Sequence, residues 1–108
     1  MAASVQDHSS RFETLADEWA RATRFQSSST EIAMHPAYQQ IIGMGPNALP
    51  LILDRLSRRT EHWFWALAAI SGEDPVDPAD AGKVEAMAES WLRWGRSRGL
   101  IPLSAASA

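Results

Sequence analysis

Four features of this sequence have residue types and spacings able to do chemistry. The run Gly43-Met-Gly45-Pro-Asn-Ala48 fits G-x-G-x-x-A and leads into a stretch with helical spacing, as a dinucleotide-binding fingerprint does. That fingerprint needs a strand before it and alternating strands and helices after it. Only Ile41 and Ile42 stand where the strand belongs and no such alternation follows, so the run reads as a Gly–Pro turn between two helices. Asp74, Asp77 and Asp80 recur every third residue and invite a cation. A calcium loop places its acids on alternate residues, and Pro75 and Pro78 restrict how these three converge, so a solvated loop before the last helix is expected. His8, His35 and His62 are too scattered for a zinc site, and none lies in an H-E-x-x-H pattern. Glu61-His62 would be an acid–base pair only with a third group facing it; the plainer place for both is the first turn of a helix. With no G-x-S-x-G elbow and no phosphate loop, the sequence predicts no enzyme, no cofactor and no metal.

The fourth feature is Trp91-Leu-Arg93-Trp94-Gly-Arg96-Ser-Arg98, which interleaves aromatics with arginines. Single-stranded nucleic acid is bound by such a mixture, the rings stacking on bases and the guanidinium groups meeting phosphate. The competing account puts the tryptophans in the core and the arginines in water, their stems covering apolar surface. Trp91 falls on an apolar helical stripe and Trp94 at its edge, so Trp94 is expected to be the more exposed of the two.

The elements that must position these residues read as helices throughout. Ser10 and Glu13 fit a capping box opening a helix over 11–25, with Phe12, Leu15, Ala16, Trp19 and Ala22 at helical spacing. Gln26 to Thr30 is a polar linker. Pro36 suits a first helical turn, with His35 before it extended, and Ala37 to Ile42 form a short helix. Pro46 opens the next helix, whose stripe is Leu49, Ile52, Leu53 and Leu56 and whose end carries Arg55, Arg58 and Arg59 near the negative pole of the dipole. Trp63, Phe64 and Trp65 then stand side by side. Each residue turns a helix by about 100°, so the three point in three directions. A helix apolar all round must be enclosed on most sides, which predicts a buried central helix over about 61–71, closed by Gly72. A last helix over about 82–98 carries Val84, Met87, Ala88, Trp91, Leu92 and Trp94, and Gly99 and Pro102 stop it.

The whole chain bounds these readings. Its 108 residues, 45% apolar and 21% charged, suit one globular domain, here 10–99, between a disordered tail over 1–9 and a C-terminal tail over 100–108. Cysteine is absent, which removes disulfides, thiolate metal sites and Cys nucleophiles. Net charge is −3; four acids lie within residues 73–80, and the remainder stands at +1, so no polybasic or polyacidic character dominates. Nine of the ten basic residues are arginine. The first residues have no basic and apolar leader pattern, and the longest apolar run, 63–70, falls far short of the roughly 20 residues that span a bilayer. A cytoplasmic, bacterial-type protein with no membrane association and no small-molecule substrate is expected.

Ile41-Ile-Gly-Met-Gly-Pro-Asn-Ala-Leu-Pro-Leu-Ile-Leu-Asp-Arg-Leu56 followed by His62-Trp-Phe-Trp-Ala-Leu-Ala-Ala-Ile-Ser-Gly72 resembles one HEAT-type helical repeat. Glu73-Asp-Pro with Trp91 and Trp94 beyond it is similar to the Trp-containing closing helix of some bacterial HEAT-like proteins, and the likeness covers about residues 36–98. The resemblance implies an all-α stack of about five antiparallel helices, the N-terminal and last helices capping a lone repeat. HEAT-like proteins commonly bind other proteins through an exposed face, which implies a non-catalytic adaptor or small regulator of a bacterial partner protein. The candidate contact residues are Tyr38, Arg55, Arg58, Arg59, Arg93, Trp94 and Arg96. The alternative is a nucleic-acid binder using Arg93, Trp94, Arg96 and Arg98.

Overall fold

A computed structural model describes residues 5–26 and 28–101, and the C-terminal tail from Pro102 onward lies outside the described residues. Among the described residues the chain is all-α, with six α-helices, two 3-10 turns and no strand. It divides into two compact units, Met1–Ala48 and Leu49–Ala108.

In the first unit α1 spans Val5–Thr23 and packs chiefly against α3, Pro36–Gly43. Phe12, Leu15, Ala16 and Trp19 are buried at the expected spacing, whereas Ala22 faces solvent and Thr23 takes the inner position. The helix begins at Val5, not after Ser10. No Gly or Pro stands between 5 and 10, and once a helix is nucleated each further residue adds one hydrogen bond, so it propagates past Ser10.

Of the expected linker over 26–30, Ser29 and Thr30 instead open α2, Ser29–Met34, whose N-cap Ser28 accepts the Glu31 N–H through Oγ at 3.3 Å. Buried Trp19 donates its indole N–H to the Ile32 carbonyl at 2.9 Å, and its ring lies 5.2 Å from that of Tyr38. His35 is extended, φ −57° and ψ 137°, as a residue before proline should be. Its Nδ1 accepts the Ala37 N–H at 3.1 Å, so it caps α3. After α3 the chain turns at Gly45, φ 73°, into a 3-10 turn over Gly45–Ala48: the G-x-G-x-x-A run is a turn.

In the second unit α4, Leu49–Arg58, lies against α6, Val84–Ser97, and also meets α5, Phe64–Ser71. Ile52, Leu53, Leu56, Trp63, Leu67, Ala88 and Trp91 form the core. Gly95 allows the close approach of α6 to α4, because a Cβ there would stand 2.6 Å from Leu53 Cδ1. Gly72, φ 73°, ends α5 in the left-handed conformation, its N–H donating to the Ala68 carbonyl.

The expectation of an enclosed helix over about 61–71 is corrected. α5 meets both α4 and α6, but it is shorter than expected, Phe64–Ser71, and it buries Ala66 and Leu67 while Trp65 and Ala69 face solvent. Trp63 is fully buried as the N-cap residue, Phe64 is half-buried, and Trp65 is 45% exposed.

Candidate interaction surface

The three arginines proposed at the end of α4 do not form one basic face. Arg55 is 1% exposed; its Nε donates to Glu61 Oε1 at 2.7 Å and its Nη2 to Oε2 at 3.2 Å. Trp63 donates its indole N–H to the same Oε1 at 3.0 Å, and Arg59 Nη1 stands 3.9 Å from Oε2. A buried guanidinium must have its charge and its donors matched, and a bidentate carboxylate does both. Arg55 therefore braces α4 against the start of α5, and as a surface residue it is corrected. Glu61 precedes α5, so its role is this pairing and not a first-turn dipole contact. Arg58 is exposed and pairs with Asp54, one turn earlier, at 2.9 Å. Tyr38 is corrected too: it is fully buried against Trp19.

The α6 candidates divide in the same way. Trp91 is buried and Trp94 half-buried, their rings 5.2 Å apart and nearly perpendicular at 76°. Trp94 donates its indole N–H to Glu73 Oε1 at 3.3 Å. Arg98, one turn further on, donates to the same oxygen at 2.7 Å and lies over the Trp94 ring, its Cζ 5.1 Å from the centroid. So the arginine covers the ring it was expected to accompany. Arg93 is exposed, with Nη2 3.5 Å from Ser90 Oγ, and Arg96 is half-exposed.

Residue-type reasoning missed Trp65 and Phe25 as surface groups. On α5 the exposed positions are His62, just before the helix, Trp65, Ala69 and Gly72, a strip at helical spacing. Phe25 is 92% exposed after α1, with the Arg24 guanidinium 5.5 Å from its centroid, and Met34 at the end of α2 is half-exposed. Phe25 was legible in the sequence, since it falls off the Phe12–Trp19 stripe. Trp65 was not, because its helix has no polar side to mark a direction.

Of the residues weighed for catalysis and metal, Asp74, Asp77, His35 and Glu61 have local partners. Asp74 accepts the Val76 N–H and Asp77 the Ala79 N–H, so the acidic loop is a pair of tight turns, the second capping the 3-10 turn Pro78–Asp80. Among the described residues no group of three His, Cys, Asp or Glu side chains is placed to hold a metal ion, and no buried side-chain polar atom lacks a hydrogen-bond partner. His8 lines an open depression with Arg11, Gln40, Gly43 and Met44, where Arg11 donates to Gln40 Oε1 at 3.3 Å. No helix among the described residues is long and apolar enough to cross a membrane. Compared with protein-family models, curated proteins and solved structures, the chain matches none of them.

Proposed function

We propose that this chain is a non-catalytic protein-binding module, a cytoplasmic adaptor or small regulator of a bacterial partner protein. One observation carries the reading: α5 has no charged residue over its length, yet Trp65 and Ala69 on its outer side face solvent. A tryptophan on such a strip costs free energy in water and recovers it when another protein covers it, and tryptophan leads the residues that anchor protein interfaces. The consecutive helices α4 and α5, in contact and joined by the Arg55–Glu61 pair, support the HEAT-type pairing as part of this proposal.

Nucleic acid is the second reading, favoured by exposed Arg93 and half-exposed Arg96. It is the weaker because Arg98 lies over Trp94 where a base would stack.

The test is affinity capture from the native host with tagged wild-type chain, Trp65→Ser and Arg93→Ala/Arg96→Ala, each checked for helicity by circular dichroism. Wild type should retain a near-stoichiometric protein after nuclease treatment; Trp65→Ser should lose it and the arginine variant keep it. Undiminished capture by Trp65→Ser overturns the choice of α5. Release by nuclease transfers the function to nucleic acid.

A further inference from the structure

Trp94 on α6 and the C-cap residue Arg98 together hold a carboxylate of the chain itself. One carboxylate oxygen, Glu73 Oε1, accepts both the Trp94 indole N–H at 3.3 Å and the Arg98 guanidinium at 2.7 Å. Two donors converging on one oxygen, with the cation held over the ring, make a small carboxylate receptor. Its occupant is weakly held. Arg98 and Glu73 side chains are 49% and 41% exposed, and ion pairs this open to water contribute little. Buried Arg55 binds Glu61 in the opposite regime, with 1% and 17% exposure.

Glu73 also stands at a particular place. It follows Gly72, where the exposed strip of α5 ends, and Trp65 lies about 10 Å along the helix axis from that end. Glu73 therefore brings the carboxylate receptor to the Gly72 end of the apolar strip, with Arg93 and Arg96 elsewhere on the same helix end and Asp74 next in the chain.

We propose that Glu73 occupies, in cis, the site of an acidic side chain of the partner, and that the partner segment carries a Glu or Asp beside its apolar anchor. The inference rests on the protein-binding reading above. The observed ligand is a carboxylate, and guanidinium coverage of the ring disfavours base stacking, so an acidic protein segment is the occupant that fits. Exchange is an ion-pair swap: the partner's carboxylate takes the two donors and Glu73 swings into water.

The experiment follows the Trp94 indole N–H and the Arg98 Nε–H by NMR, assigned through Trp94→Phe and Arg98→Gln, in the full chain. Glu73→Gln keeps the side-chain shape and removes the competing charge. Titrating a short peptide of alternating Glu and Leu should shift both signals saturably in Glu73→Gln. Wild type should need roughly two to five times more peptide, the discrimination expected of an exposed ion pair. The same peptide with Gln for Glu should shift neither, and Arg98→Gln should abolish the response. Equal titrations of wild type and Glu73→Gln, or no response of Trp94 in either, overturn the proposal. So does a single-stranded oligonucleotide that shifts Trp94 at lower concentration than the peptide. Failure here leaves the Trp65 capture result standing, and loss of Trp65-dependent capture leaves the carboxylate titration unchanged, so the two ideas fail separately.

Discussion

Arg55 and Arg58 stand three residues apart on α4, the first buried against Glu61 and the second in solvent beside Asp54. Both pairs are well formed, but the first is buried, bidentate and shared with the Trp63 indole, whereas the second is exposed and uses one carboxylate oxygen. Removing the carboxylate from a buried pair leaves an uncompensated charge, at a cost of about 3–5 kcal/mol. Glu61 is 17% exposed, which lets water soften the loss, so Glu61→Ala should cost about 3 kcal/mol, at the low end. It should also remove the Oε1 acceptor of the Trp63 indole N–H, visible as a changed emission maximum. Arg58→Ala should change stability by no more than about 0.5 kcal/mol. Urea denaturation of the two variants tests the contrast; equal losses would mean that Arg55 is not the brace described.

Apart from α2 and the first turns of α1, the helices follow the periods and stops of the sequence, and their faces follow their neighbours. On α5 Leu67 is fully buried and Trp65 is half in water, two residues apart. Leu67→Asp places a charge where it has no partner and should unfold the second unit, while Trp65→Ser should keep its helicity. A soluble, fully helical Leu67→Asp protein would contradict the packing of α5 against its unit. The α4–α6 contact has its own signature. A methyl at Gly95 meets Leu53 Cδ1, so Gly95→Ala should lose about 1–3 kcal/mol to overpacking, less the gain of about 1 kcal/mol in helix propensity. Leu53→Ala should therefore cost less in the Gly95→Ala background than in wild type, and additive effects in a double-mutant cycle would refute the close approach.

Five tryptophans report on the whole molecule. Trp19, Trp63 and Trp91 are buried, whereas Trp65 and Trp94 reach solvent. Iodide should therefore quench a minority of the emission, and Trp65→Phe with Trp94→Phe should remove most of that fraction. Trp19→Phe should leave it almost intact; a large loss there would show that Trp19 is not the core plate of the first unit. Much of this chain was legible from sequence alone. The all-α class, the burial of Phe12, Leu15, Trp19 and Trp91, the extended His35 and the stops at Gly72 and Gly99 follow from local rules, because spacing, capping and left-handed glycine conformations are properties of a few neighbouring residues. Tertiary structure alone decided that Tyr38 and Arg55 lie inside, that Arg98 covers Trp94, and that Trp65 rather than Trp63 faces out. A helix with polar residues on one side carries its own direction, but the charge-free α5 has none. Which of its sides meets water depends on where α4 and α6 pack, and those contacts join residues far apart in the chain.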